Sequence, residues 1–341
     1  MTTDTVRWTV CPLSASTEWP AIWQTLHLAT GNHLLLDYRF ISTAIAAFPP
    51  ADGLIAIARK KGLPVAISVL EKTGFGRWQT YQPSQAPLGA WLQLPEQDIT
   101  RLLATLAQAL PFPVLTISLT QQDPDLIPRP ADTPKLITSD YITTGRLTLN
   151  MPFADYWNQR SKNTRQNVNK ISNRLQKELL IPQFSQLKDP SMLAAAVNGY
   201  ATIESASWKQ QHGTAVSMDN AQGHFYLNML QQFAPAQAEV WQYHYNQQLV
   251  ATDLCIRDAD TLIILKTTYD EEWSRFSPAF AMHVDGIQYC MDQGLRQIEF
   301  YGPAMEWHRK LTDELRTLYH ITWYAFSLLR KLATLRRSSS G

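Results

Sequence analysis

Four residues in the second half of the chain carry side chains able to move protons near neutral pH. Glu299 sits in the short apolar run IEF. A carboxylate held there away from water would have a raised pKa and could act as a base. The other reading makes it the outward residue of an alternating strand. His308 titrates near neutrality and stands at the start of a helical stretch, as a candidate acid or base or as a surface histidine. Asp253 breaks the apolar strand LVATDLCI, either as part of a site or as its wet face. His283 lies one turn inside a helix and is expected to pack.

A second group of residues suits anions. TTYDEEWSRFSPAFAMHVDGIQYCMDQG, from Thr267, reads as the end of a buried strand, a polar turn and a helix. Ser277 is placed as the N-cap and Pro278 in the first turn. A helix start presents free N–H groups and the positive end of the dipole, which suits a pyrophosphate. The same pattern also describes an ordinary capped core helix. The stretch from Tyr156 carries Arg160, Lys162, Arg165, Lys170, Arg174 and Lys177 against Asp155 and Glu178. It is an anion-binding face or a solvated one. Trp208 and Lys209 would bring a flat ring and a cation to the mouth of a site, or simply end a helix. The eight histidines show no HxxxH or HExxH spacing, and there is no P-loop, GxSxG or GxGxxG. Metal, hydrolase, kinase and dinucleotide readings therefore lack local support.

The elements that position these residues follow from apolar periodicity. Residues 34–48 suit a helix, and a three-stranded meander starts at Gly53. A helix is expected over 97–110 and a strand over 113–119. Residues 121–140 hold four prolines and few large apolar residues, so a linker or an extended crossing strand is expected, with a boundary near residue 140. One long helix is expected over 153–179, with two more over 190–206 and 221–234. A second meander starts at Ala238. A helix then runs from Ser277 to about Gln293, followed by the strand RQIEFYG, the short helix EWHRKLTDEL and the strand LYHITWYAF. The two halves share an order of meander, helix and strand, a faint sign of duplication.

Composition bounds the rest. The chain has 341 residues, 45% of them apolar, enough for a sizeable core in two domains. With 30 Lys+Arg against 29 Asp+Glu, bulk charge gives no reason to expect a DNA or polyanion-coating protein. Cys11, Cys255 and Cys290 are far apart, which argues for a reducing compartment. No secretory leader and no run of about 18 apolar residues is seen, so a cytoplasmic chain is expected.

The order of meander, helix, strand, helix, strand is that of the second part of the GNAT acyltransferase fold. Four segments resemble one branch, the double-domain GNAT-type acyltransferases of cellulose and exopolysaccharide operons. These are called CelD-like and are distantly similar to the FemAB peptidyltransferases. YWNQRSKNTRQNVNKISNRLQKE at Tyr156 resembles the family's Ser, Arg and basic-helix segment, and SASWKQQHGTAV at Ser205 its Trp-Lys-Gly segment. YDEEWSRFSPAFAM at Tyr269 resembles its Tyr-Asp and Ser-Pro-Gly segment. QGLRQIEFYGPAMEWHRKLT at Gln293 resembles its Gly, acidic-Phe, Gly, aromatic-Lys segment. The likeness covers about 150–325 in residues and the first half only in layout. Two positions depart. Ala279 replaces a glycine, which puts a Cβ where backbone would approach phosphate. His308, after Trp307, replaces a lysine. RFSPAFA from Arg275 is a degraded form of the common GNAT phosphate loop.

The resemblance implies a mixed α/β fold of two tandem GNAT-like lobes, each a mostly antiparallel sheet flanked by helices. The lobes would be 1–139, including the proline-rich linker, and an active lobe 140–327, with a basic helical tail 328–341. It implies acyl-CoA as co-substrate, bound by Arg275, Ser277, Pro278, Ala279, Phe280, Ala281 and Met282. Acyl transfer to an amine needs a base, an oxyanion donor and an acid for the thiolate. Glu299, His308 and Asp253 are the catalytic candidates, with Asp253 as a holder of the amine. Trp208, Lys209, Tyr269, Asp270 and Arg165 are candidates on the substrate side. The implied acceptor is a small-molecule or lipid-linked amine, from a polysaccharide or cell-envelope precursor or a related metabolite. Two alternatives stay open: a FemAB-like transferase fed by aminoacyl-tRNA, and a binding or scaffold protein that has lost CoA. The basic tail from Leu328 to Arg337 would touch an anionic membrane surface at most peripherally.

Overall fold

The computed structural model describes residues 5–205 and 216–331. Contacts group the chain into two units, residues up to 142 together with those from 317, and Thr143–Arg316. The expected second lobe ran to 327, whereas the residues from Thr317 group with the first unit. The tail is described only as far as Lys331.

The first unit contains β1 (Arg7–Pro12), α1 (Trp19–Ala29), α2 (Tyr38–Ala47), β2 (Leu54–Lys60), β3 (Leu63–Gly74), β4 (Arg77–Thr80), β5 (Trp91–Gln93), α3 (Ile99–Ala109) and β6 (Thr116–Gln122). Antiparallel β1 to β4 stand in chain order, and β5 pairs with β3. The crossover through α3 returns β6 parallel to β4, with Arg77 opposite Thr116 and Gln79 opposite Ser118. α3 sets Leu102, Leu103 and Leu106 into a core with Trp78, Trp91 and Ile117. Its N-cap Asp98 accepts from the Arg101 N–H at 2.9 Å. Past the parallel pair, Thr80 Oγ1 accepts from the Thr120 N–H at 2.9 Å and bonds the Thr120 hydroxyl at 2.8 Å. These bonds hold the two strands together beyond their register.

β7 (Leu136–Thr148) leads into the second unit, which continues with α4 (Phe153–Gln159), α5 (Lys162–Lys177), β8 (Pro182–Leu187), α6 (Pro190–Ser205) and α7 (Ala221–Phe233). β9 (Ala238–Tyr245), β10 (Gln248–Arg257), β11 (Thr261–Tyr269), α8 (Pro278–Asp292), β12 (Gln297–Glu299) and α9 (Glu306–Leu311) follow. The final strand, β13 (Glu314–Tyr324), pairs antiparallel with β6 through Tyr319–Tyr324. The layout of the first unit recurs in the second. Antiparallel β8 to β11 stand in chain order, α8 crosses over, β12 lies parallel to β11, and β7 pairs antiparallel with β12.

Helix α8 packs closely on the sheet because residue 286 is glycine; a Cβ there would overlap the ring of buried Trp241. Met282, Ile287 and Cys290 fill the core beside it.

Two expected helices are corrected, and the reading of one segment is narrowed. The helix expected over 153–179 is two helices. Arg160 is extended, and Ser161 caps α5 by accepting from the Thr164 N–H at 3.1 Å. Over 121–140, read as linker or extended strand, both are present: β6 reaches Gln122, β7 starts at Leu136, and the residues between connect them. The helix expected over EWHRKLTDEL ends at Leu311, and Glu314 already belongs to β13.

Candidate active site

The parallel register of β11 and β12 ends at Ile263 opposite Glu299, while β11 runs on to Tyr269. The two strands therefore part, and a cleft of about 360 Å³ opens beside the end of β11, which stays paired with β10 but extends past β12. Its lining joins Thr267 and Tyr269 of β11, Ser274 and Ser277 of the turn, Pro278, Ala279, Phe280 and His283 of α8, and Trp307 of α9. The volume is in the range that holds a small substrate.

The start of α8 is open. Ser277 has φ +48° and ψ +55°, a left-handed conformation, and among the described residues its side chain caps nothing. Ser277 is thus the N-cap residue and Pro278 lies in the first turn, as expected, but the side-chain capping bond of an ordinary N-cap is not made. The run 277–282 also offers fewer N–H donors than expected. The Ser277 N–H donates to the Ser274 carbonyl at 3.0 Å, Pro278 has none, and the Ala281 N–H donates to the Ser277 carbonyl at 3.1 Å. The N–H groups of Ala279 and Phe280 remain as first-turn donors without an intrahelical acceptor. Both residues line the cleft. Met282 is buried in the core, and neither it nor Ala281 lines the cleft.

A buried pair of polar side chains adjoins the cleft. Asp253, fully buried in β10, places Oδ2 at 2.8 Å from His283 Nε2. Its strand neighbour Thr267 shares that face of the sheet and reaches the cleft. The imidazole is also buried, and its Nδ1 finds no hydrogen-bond partner among the described residues. The Trp307 indole lies flat on the imidazole with centroids 4.6 Å apart, and His308 also stacks on that indole at 3.6 Å. His308 is pushed down to about 4, first by burial and then by the nearby His283. Its Nδ1 accepts from the Met305 N–H at 2.9 Å.

The remaining expected residues stand elsewhere. Glu299 does not line the cleft. Its carboxylate lies 2.6 Å from Arg146 Nε and 2.8 Å from Arg316 Nη2. Burial pushes its carboxyl above the usual range while the two guanidinium groups pull against that. Asp270 caps the turn by accepting from the Glu272 N–H at 3.0 Å. Arg275 points its guanidinium at Glu178, 2.7 Å away, and its carbonyl accepts from Arg174 at 2.9 Å. Through that bond basic α5 lies against the turn before α8. Arg165 sits half-buried in α5. Trp208 and Lys209 lie outside the described residues.

His283, expected only to pack, lines the cleft, and Thr267, Ser274 and Trp307, which are not among the candidates from sequence, line it too. The available signal was that Asp253 and His283 each interrupt an apolar surface, and a buried polar group needs a partner. Among the described residues, no group of three or more His, Cys, Asp or Glu is arranged to hold a metal, and no helix is long and apolar enough to cross a membrane.

Residues 162–309, which hold this whole cleft, match the family model described as an Acetyltransferase (GNAT) domain. No curated protein matches the chain in sequence. Several solved structures share the fold. One is the C-terminal domain (DUF2156) of a candidate lysylphosphatidylglycerol synthetase from Agrobacterium fabrum, at TM-score 0.57 and 12% identity, covering 94% of this chain and 97% of that one. FemX gives TM-score 0.55 and 10% identity, covering 92% and 98%. A conserved protein of unknown function from Bacteroides thetaiotaomicron VPI-5482 gives 0.56 and 11%, covering 89% and 97%. At such identities the likeness concerns the fold alone, and that fold is mixed α/β of GNAT type, with the cleft inside the matched domain.

Proposed function

We propose that the chain is an acyl-CoA-dependent N-acyltransferase acting on a small-molecule or lipid-linked amine, with the second unit as the active lobe. The observation that carries this reading is the opening between β11 and β12 beneath an uncapped helix start. CoA pyrophosphate would lie on the Ala279 and Phe280 N–H groups, where donors and helix dipole both favour an anion. The hydroxyls of Ser274 and Ser277 stand on the same wall. The thioester would then enter the space between the parted strands. The acetyltransferase-domain match over these residues supports the donor, and the CelD-like resemblance supports a polysaccharide or cell-envelope precursor as acceptor.

A second reading, aminoacyl transfer from charged tRNA, is favoured by basic α5. Lys162, Lys170, Arg174 and Lys177 are exposed along it, and Arg174 bonds the turn before α8. A thermal-shift and calorimetry screen with acetyl-CoA, longer acyl-CoAs and charged tRNA decides between them. A ligand at 100 times its Kd stabilises by about 2.7 kcal/mol. Stabilisation by acyl-CoA supports the first reading. Stabilisation by charged tRNA alone, lost steeply with salt, supports the second. No response to either leaves a scaffold.

A further inference from the structure

We propose that His283 is the general base of the transfer and that Asp253 positions it. This rests on the acyltransferase reading and adds the proton path. Of the nine residues lining the cleft, His283 and the Tyr269 phenol alone are titratable. Of the two, an imidazole is the commoner general base. The hydrogen bond from Nε2–H to the Asp253 carboxylate fixes the tautomer whose lone pair is on Nδ1. That nitrogen has no partner among the described residues, which is costly for a merely structural buried histidine. The other expected bases are engaged. Glu299 is held by Arg146 and Arg316, and His308 directs Nδ1 at the Met305 N–H.

The chemistry balances within this pair. The neutral amine nitrogen attacks the thioester carbon, the C–N bond forms and the C–S bond breaks. The proton lost from nitrogen goes to Nδ1, and the resulting imidazolium, stabilised by Asp253, returns it to the departing thiolate. Nδ1 is shielded and Trp307 lies flat over the ring, so the indole tilts aside when the acceptor enters. Its flat face favours acceptors that carry a planar or apolar body next to the amine. The groups facing His283 from its neighbours are Asp253 of β10, Phe300 after β12, and Trp307 and His308 of α9.

The test compares the full-length parent with His283→Gln and Asp253→Asn. Acyl-CoA affinity is measured by calorimetry, and turnover by thiol release with a panel of amines across pH 5–9. His283→Gln is expected to bind acyl-CoA within about twofold of the parent and to lose about 10²–10⁴ in kcat. Asp253→Asn is expected to lose less and to displace the acidic limb of the kcat profile, where the base must lose its proton, which a structural role alone would not do. A His283→Gln enzyme with parental kcat overturns the base while leaving acyl transfer intact. A parent that binds no acyl-CoA overturns the acyltransferase reading and the base with it. If His283→Gln does not fold, an unchanged pH profile in Asp253→Asn overturns the proposal.

Discussion

The two units share one strand layout and differ at the same three places. Where the parallel pair ends, Thr80 and Thr120 tie β4 to β6, whereas β11 and β12 part after Ile263 and Glu299. At the crossover helix, the Asp98 carboxylate caps α3, whereas α8 starts from left-handed Ser277 with no side-chain cap among the described residues. Under that helix, α3 buries Ile99, Leu102, Leu103 and Leu106, whereas α8 buries His283 on Asp253. The first unit thus fills with hydroxyl, carboxylate and leucine the positions that the second leaves as space, free donors and a titratable pair. A carboxylate at a helix start repels a phosphate where free N–H groups attract one. The GNAT-type layout alone makes no site; a few side chains at the splay and the helix start decide whether it does.

The largest effect is expected at the packing of the crossover helix. Gly286→Ala forces a methyl against the Trp241 ring and should lower stability by about 1–3 kcal/mol in urea unfolding. Because α8 carries both the N–H donors and His283, acyl-CoA affinity should fall with it. Unchanged stability would show that Trp241 yields and that close packing does not set the height of the helix.

Acid sensitivity should also differ between the units. His308 titrates near 4 when folded and near 6.5 when unfolded, so the unfolded chain binds more protons between those values. Stability is complete above about pH 6.5 and falls as pH drops toward 4, by on the order of 2 kcal/mol. His308→Gln should flatten that slope in unfolding curves taken from pH 4 to 7. An unaltered slope would place the acid sensitivity elsewhere. A smaller effect is expected in the first unit. Asp98→Ala removes the α3 cap and should cost about 1 kcal/mol while leaving acyl-CoA affinity unchanged.

Much of this arrangement is legible in the sequence, because strand-to-helix turns are written locally. The run from Thr267 through Ser277 and Pro278 marks the helix start and its donors, and the apolar runs mark β10, β11 and β12. The partners are harder to read. Glu299 looks like a free carboxylate until β7 puts Arg146 directly opposite it in register, 153 residues away. Asp253 could face either side of β10, since alternation fixes two faces without saying which one α8 covers. Only the packing of α8 brings His283 to it. The break between α4 and α5 is legible in principle, since Ser161 is a favoured N-cap residue type, but continuous apolar spacing across it conceals the stop.

The central claim is that the cleft at the α8 start holds the acyl donor. Its most direct test is calorimetric titration of acetyl-CoA into the parent, Ala279→Gly and Ala279→Glu. Ala279→Gly should bind as well as the parent or better, because removing the methyl widens the approach to the free N–H groups. Ala279→Glu should abolish binding while unfolding at nearly the parental temperature, since a carboxylate beside the diphosphate repels and blocks it at a cleft-lining helix start. An Ala279→Glu protein that binds acetyl-CoA as tightly as the parent would contradict the account and place the donor elsewhere.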